Sequence, residues 1–288
     1  MLIQPMFGIV IPTYNRSPLL ERALLSVLAQ DYPNWTICVV DDGSSDDTEA
    51  MISTYTDNSK IHYIKQPKNL GVNSARNVAL HYLLEEIHCD YITLLDDDDY
   101  FNQATLSTAL KYIHQFPNQE WFISKRVTED GKNITMTKKQ GLIPYIEYYL
   151  GLTMKGDATH VIKSTLIAKT RFSRQFMQAQ EWLFFINLAQ RSEMFYYDFP
   201  STVCRYLEDG LSAQINKKSN VKSDQDLRLE VLKKKALLNL GYSFENVELL
   251  KLHTRIKNIL EDKKYHKMFR YLPKYLYWYF LNSIKFPK

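Results

Sequence analysis

The sequence predicts an α/β fold: a mostly parallel central sheet with helices on both faces, followed by a helical C-terminal extension. Two observations carry this expectation. Short apolar runs alternate with segments of helical periodicity over the first hundred residues, the pattern of strand–helix–strand units. Three of those runs end in polar clusters, Pro12 to Arg16, Asp41 to Asp42 and Asp96 to Asp99, and ligands of such sheets bind outside the carboxyl ends of the strands. Turn chemistry alone does not call for carboxylates at two strand ends and Thr-Tyr-Asn-Arg at a third.

Phe7 to Ile11 reads as the first strand. Ser17-Pro18 then signals a helix start, with Ser as cap and Pro in the first turn, and Leu19, Leu20, Ala23, Leu24, Val27 and Leu28 keep helical spacing. Trp35 to Val40 is a second strand, closed by Asp41-Asp42-Gly43-Ser44-Ser45-Asp46-Asp47-Thr48. Gly43 permits a sharp exit, and the Ser and Asp oxygens suit the cap of a helix beginning near Thr48. Ile61 to Ile64 is a third strand, followed by Asn69-Leu70-Gly71 and a helix to about Glu86.

Tyr91 to Leu95 is the strand that delivers Asp96-Asp97-Asp98-Asp99. Side chains alternate along a strand, so Asp96 and Asp98 emerge on one side. Carboxylates at that spacing suit a hard divalent cation that keeps positions open for water and phosphate oxygens. The run allows two registers, and Asp97 and Asp99 can each take a neighbour's part. A solvated acidic turn is the plain alternative.

In the second half, Gln103 to Gln115 reads as a helix. Glu120 to Val127 reads as one arm of a hairpin that turns at Thr128 to Asn133. Tyr145 to Leu152 is aromatic and helical in pattern, and Gly156 to His160 reads as an ordered loop. Gln180-Glu181-Trp182 opens an amphipathic helix, where a carboxylate complements the helix dipole. Phe195 to Phe199 and Thr202 to Tyr206 read as two short strands.

From about Asn216 the composition shifts to lysine-rich helical stretches. Residues 263–288 hold seven Lys and Arg and no acid among many aromatics. Such a segment suits the surface of an anionic membrane, and equally a helix packed on the rest of the chain or on a second copy in a homodimer.

The whole composition, 45% hydrophobic and 24% charged over 288 residues, supports a sizeable core and excludes a disordered or fibrous chain. A net charge of +4 is too mild to point to nucleic acid. Cys38, Cys89 and Cys204 are odd in number, far apart and in no zinc-ligand spacing, so reduced thiols are expected. No basic segment followed by a long apolar one opens the chain, and no uncharged apolar run reaches the roughly 18 residues that span a bilayer. These features predict a cytoplasmic protein whose tail is placed to reach the inner face of a membrane.

Four segments taken together resemble the family 2 glycosyltransferases, which have the A-type, Rossmann-like nucleotide-sugar fold. They are Val10 to Arg16, Val40 to Thr48, Asn69-Leu70-Gly71 with Ala75-Arg76-Asn77, and Leu95 to Tyr100. The resemblance implies a catalytic domain over 1–215, with a nucleotide-sugar half at 1–100 and an acceptor half at 101–215, and a separate C-terminal region at 216–288. It implies a divalent metal, Mn2+ or Mg2+, on the diphosphate of a nucleotide sugar, most often a UDP-sugar. Pro12, Thr13, Tyr14 and Asn15 would lie on the nucleotide side, with the first three against base and ribose. Asp41 would accept a hydrogen bond from the base, or merely cap the next helix. Arg76 would help hold the nucleotide, Asp96 would contact the ribose and share the metal, Asp98 would be the principal metal ligand, and Asp97 could exchange roles with either. Glu181 takes the place of the family's catalytic base, although Gln180 stands where an acid often precedes it.

An inverting transfer needs such a base, because the acceptor hydroxyl must lose a proton as it attacks. The family's Tyr-Arg-any-His-Gly pattern is altered here to Tyr206-Leu207-Glu208-Asp209-Gly210, which removes the positive partner expected for phosphate. The implied activity is inverting, metal-dependent transfer to a hydroxyl of a surface glycan or lipid-linked oligosaccharide. The competing readings are a non-catalytic nucleotide-sugar-binding module and a nucleotidyltransferase on a similar sheet; the latter normally carries a Gly-rich loop near the first strand, and Pro12 to Arg16 has no glycine.

Overall fold

A computed structural model describes residues 4–137, 140–145, 148, 153–174 and 181–205. In chain order these form β1 (Phe7–Thr13), α1 (Ser17–Leu28), β2 (Trp35–Asp41), α2 (Thr48–Ser53), β3 (Ile61–Lys65) and α3 (Val72–His81), which runs into a π-helical turn (Tyr82–Glu86). Then come β4 (Tyr91–Leu94), β5 (Tyr100–Phe101), α4 (Thr105–Gln115), β6 (Trp121–Thr128), β7 (Met136–Thr137) and β8 (Gly141–Ile143). The last elements are β9 (Met154–Lys155), β10 (Ala158–Lys163), α5 (Ser164–Ile167), α6 (Glu181–Ala189) and β11 (Met194–Cys204).

The main sheet has the order β3-β2-β1-β4-β10-β6-β11-β5, with β8 also paired to β11. The α/β class is as predicted, and β1 to β4 are parallel throughout. Antiparallel pairing enters with β10, which runs against both β4 and β6. Two reversals restore the direction, so β6 points the same way as β1 and β4, and β11 runs parallel to β6. The carboxyl ends of β1, β2, β4, β6 and β11 therefore open on one edge, together with the start of β10. That edge is where the polar residues collect.

β1 and β2 are buried at every position, as expected of strands covered on both faces. Ile9, Ile11, Val39, Leu20, Leu24, Val27, Leu95 and Leu106 belong to one apolar cluster that joins both halves of the sheet. At the top of β1, Leu95 donates its backbone N–H to the Val10 carbonyl (3.0 Å) and Asp42 to the Thr13 carbonyl (2.9 Å). The three loops are thus stitched to one another before any side chain is considered.

Several local expectations are corrected. Ser17 is not the cap of α1: Arg16 takes that position, its side chain making no capping bond to the helix, and Ser17 N–H donates to Asp46 Oδ2 (3.2 Å) from the neighbouring loop. The hairpin after β6 is only one bridge long, Val127 to Asn133, because β7 leaves to pair with β9. Gly156 to His160 is not one loop, since Ala158 onward is the buried strand β10. The two strands expected at 195–206 are one, β11, with irregular register between Tyr197 and Thr202. His160 is structural: Trp121 Nε1–H donates to its Nδ1 (3.0 Å), and its ring stacks on Phe185 with centroids 4.1 Å apart.

Among the described residues no helix is long and apolar enough to cross a membrane. Most of Tyr145 to Leu152, Gln180, the altered motif at 206–210 and the region 216–288, with the membrane contact or second copy expected of its tail, lie outside the described residues.

Candidate active site

The four aspartates leave β4 in alternation. Asp96 and Asp98 have side chains 36% and 21% exposed, whereas Asp97 and Asp99 are 7% and 4% exposed. The buried pair is occupied internally. Asp97 accepts from Thr13 Oγ1 (2.8 Å) and Arg16 Nη1 (3.1 Å). Asp99 binds Arg126 Nη2, the Arg205 backbone N–H (3.2 Å) and the Cys204 thiol (3.4 Å). Burial drives the Asp97 carboxyl up to about 7 and Asp99 to about 6, against the pull of the arginine beside each. The geometry thereby separates Asp96 and Asp98, which face outward, from Asp97 and Asp99, which hold the turn in place.

Asp96 is reached by two arginines. Arg76 Nη2 donates to its Oδ1 (2.8 Å), and Arg126 Nη2 stands 3.9 Å from its Oδ2. Burial pushes Asp96 up, but Arg76 and then Arg126 outweigh it and hold the carboxyl below its ordinary value. Asp98 shifts the other way, raised by burial and by Asp96, with Arg16 at 3.1 Å opposing. Its backbone carbonyl is fixed by Arg22 Nη2 (2.6 Å), whose guanidinium also lies over the Tyr100 ring at 4.7 Å.

Arg76 is buried on α3, and its other terminal nitrogen lies 2.7 Å from Glu181 Oε1. Glu181 is therefore brought to the acidic strand end although 85 residues separate it from Asp96 in sequence. The packing explains how. The Phe172 ring lies 5.5 Å from the Arg76 guanidinium and stacks on Phe184 of α6 at 4.1 Å. Asn77 of α3 clamps the Phe172 backbone with two bonds, Nδ2–H to the Phe172 carbonyl (2.9 Å) and Phe172 N–H to its Oδ1 (2.8 Å). The Glu181 carboxyl, 37% exposed at the start of α6, is raised above the ordinary glutamate range by burial, with Arg76 opposing and Asp96 and Asp157 adding to the rise.

The remaining sequence-predicted residues lie one or two strands away. Asp41 is fully buried; its Oδ1 accepts from Ser44 N–H (2.7 Å) and its Oδ2 from Tyr63 Oη–H (2.7 Å). Pro12 and Thr13 end β1 as buried residues. Tyr14 follows with 43% exposure, its ring available beside the loop. Asn15 adopts φ +53°, donates its N–H to Ser44 Oγ (2.8 Å) and accepts from Ser45 N–H (2.8 Å), tying the β1 and β2 loops together. Gly43 has φ +81°, and a Cβ there would stand 2.7 Å from the Lys68 backbone, so only glycine fits this crossing.

Several neighbours of these residues make contacts that the sequence does not show. Arg126 was hidden because it lies at the end of β6, whose direction is set by β10 rather than by local pattern. Arg22 lies within the helical period of α1 and carries no signal of its own, whereas Arg16 belongs to the polar cluster expected at the end of β1 and only its contacts with Asp97 and Asp98 are new. Asp42 had been grouped with Asp41, yet it organises the Asn69-Leu70-Gly71 segment by accepting from Leu70 N–H and Gly71 N–H, each at 2.8 Å.

Among the described residues no group of three or more His, Cys, Asp or Glu is placed to cage a metal. Asp96 and Asp98 nevertheless fit a hard cation of the Mg2+ or Mn2+ type, which binds through one or two carboxylates and completes its shell with substrate phosphates and water. Burial and then the charge of Asp96 raise Asp98, and a cation between the two carboxylates would offset both.

The glycosyl transferase family 2 model matches residues 8–173, so Glu181 lies beyond the matched span. A Campylobacter jejuni protein named GalNAc(5)-diNAcBac-PP-undecaprenol beta-1,3-glucosyltransferase is 29% identical over 204 residues, 66% of this chain and 62% of that one. The chain spans between 43% and 62% of the length of the first three curated relatives it matches. The structure of S. aureus TarS 1-349 in complex with UDP-GlcNAc superposes with a TM-score of 0.71 at 19% identity, covering 88% of this chain and 72% of that one. A mannosyltransferase from Pyrobaculum calidifontis, in complex with GDP-Man and Mn2+, gives 0.54 at 17% identity, covering 94% and 85%. These likenesses establish a shared fold, and the family match settles the wider relationship: the chain belongs to glycosyl transferase family 2.

Proposed function

We propose that this protein is an inverting glycosyltransferase that uses a divalent cation and a nucleotide-diphosphate sugar, a UDP-sugar, to glycosylate a hydroxyl of a surface glycan or lipid-linked oligosaccharide. The observation that carries the reading is the pair of contacts made by Arg76, 2.8 Å to Asp96 and 2.7 Å to Glu181. They bring Asp96 and Glu181 to opposite ends of one guanidinium, which supports reading the first as a donor-side acid and the second as an acceptor-side base.

In this reading Asp98 and Asp96 hold the cation, which supplies Lewis-acid stabilisation of the departing diphosphate. Glu181 takes the proton of the acceptor hydroxyl as the glycosidic bond forms on the face opposite the nucleotide. Arg76 orients that carboxylate, opposes the upward shift that burial imposes on it and anchors Asp96. The exposed Tyr14 ring packs against the base, and Asp41, buried and bonded to Ser44 and Tyr63, would reach the base's N–H only if that loop opens on binding. Arg126 supplies positive charge beside the leaving group, in place of the residues changed at Leu207 and Asp209. TarS with UDP-GlcNAc supports the choice of donor, the mannosyltransferase with Mn2+ supports the cation, and the undecaprenol-linked glycan in the Campylobacter name supports the acceptor class.

The test is release of nucleotide diphosphate from a panel of nucleotide sugars with Mn2+, with and without lipid-linked acceptors. Turnover of a UDP-sugar that EDTA abolishes is expected. No turnover and no metal-dependent binding with any donor would overturn the proposal, and binding without turnover would favour the non-catalytic module.

A further inference from the structure

Arg16 occupies an unusual position. It caps α1 at the end of β1, and a single nitrogen, Nη1, stands 3.1 Å from both Asp97 Oδ1 and Asp98 Oδ2. Asp97 is buried and also held by Thr13 Oγ1, so it acts as a fixed anchor for the guanidinium. Asp98 is the more exposed partner, and its backbone cannot retreat because Arg22 holds its carbonyl. The neighbouring carboxylate, Asp96, is engaged in the same way by Arg76.

A divalent cation binds carboxylate oxygen at roughly 2.0–2.6 Å. Placed on Asp98 Oδ2, it would share that oxygen with a guanidinium nitrogen at 3.1 Å. Two positive groups on one carboxylate oxygen in a half-buried setting repel strongly, so Arg16 gives up Asp98 Oδ2, whereas the buried Arg76 holds Asp96 through Oδ1 and leaves its Oδ2 to the cation. The Arg16 side chain is 24% exposed and can turn outward, and a diphosphate arriving with the cation offers it equivalent charge-assisted bonds. We infer that Arg16 is an internal counter-cation at Asp98, so that a divalent cation enters this site together with a nucleotide diphosphate that takes Arg16 over. The inference rests on the metal-dependent reading above and adds an order of binding to it. Arg16 is then a positioning residue in the donor-free protein and a diphosphate ligand in the loaded one.

The test is Mn2+ binding followed by the paramagnetic resonance of free Mn2+, with no turnover required, on the full chain with Mn2+ alone and with Mn2+ plus UDP. The wild-type protein should bind Mn2+ at least about tenfold more tightly with UDP than without, as the loss of one or two charge-assisted bonds implies. Arg16→Gln should tighten binding of Mn2+ alone by about tenfold while weakening the Mn2+–UDP pair, and Arg16→Lys, which keeps a cation there, should stay near wild type with Mn2+ alone. Equal Mn2+ affinity with and without UDP in the wild type would overturn the inference whatever the variants do. So would an Arg16→Gln protein whose affinity for Mn2+ alone is unchanged or lower, or an Arg16→Lys protein that tightens as much as Arg16→Gln. Absence of Mn2+ binding in every protein, even with UDP, would overturn the metal-dependent reading itself.

Discussion

Arg76 Nη1 lies 2.7 Å from Glu181 Oε1, and this ion pair joins α3 to α6. The same guanidinium donates to Asp96, so removing it disturbs both sides at once. In Arg76→Met the nucleotide should bind about tenfold or more weakly, since Asp96 loses the charge-assisted bond that fixes it. Arg76 opposes the upward shift of Glu181, so its loss should raise the Glu181 pKa further. A base works deprotonated, and kcat/KM on the acid side should therefore rise with pH at a higher position in the variant than in the wild type. A pH–rate profile with saturating cation checks both the direction and the size of the move.

The alternation of exposure along Asp96 to Asp99 predicts unequal responses to amidation. Asp98→Asn should abolish the response of UDP binding to Mn2+, measured by calorimetry with and without EDTA, and lower turnover by about a hundredfold or more. Asp99→Asn should act mainly on stability, because its carboxylate is buried against Arg126, Arg205 and Cys204. Removing one member of a buried ion pair costs about 3–5 kcal/mol. A denaturant titration in which Asp98→Asn and Asp99→Asn lose equal stability would contradict this division.

His160 should give the fold a definite acid sensitivity. Burial lowers its pKa to about 3 from 6.5, so between those values the unfolded chain binds a proton that the folded chain does not. Stability should fall as pH drops from 6.5 toward 3, by up to about 1.4 kcal/mol per pH unit from this group. His160→Phe should cost about 1–3 kcal/mol at pH 7 by orphaning the Trp121 indole N–H, and the gap from wild type should narrow in acid. Denaturant melts at pH 7 and pH 5 measure both effects.

Gly156 should tolerate no side chain. Its φ is +79°, and a Cβ would stand 2.0 Å from the Ile134 carbonyl oxygen. Gly156→Ala should destabilise by more than about 2 kcal/mol, whereas Gly131→Ala, with a similar φ but open space around it, should cost less. Paired thermal melts of the two variants separate steric from conformational cost.

Much of the first hundred residues is legible in the sequence because the signals there are local. An apolar run, a helical period and a polar cluster each sit within a dozen residues, and parallel strands then align the clusters on one edge. Residues 101–205 are less legible. Arg126 reaches Asp99 only because β10 is inserted antiparallel between β4 and β6, a pairing with no local signature. The hairpin after β6 failed for the same reason, since β7 finds β9 rather than its neighbour. Ser17 carried a correct signal for a helix start but the wrong role, because a capping oxygen from Asp46 on another loop took its place. Glu181 was found through resemblance, and what the sequence could not supply was its partner Arg76, 105 residues earlier.

Glu181→Gln tests the central claim most directly, with UDP binding in Mn2+ and sugar transfer measured on the same preparation. Donor binding should stay within about threefold of wild type, because the amide retains the shape of the side chain, while transfer should fall by about a hundredfold to ten-thousandfold, the usual worth of a general base. Unchanged transfer would contradict the assignment of Glu181 as the base that faces Asp96 across Arg76.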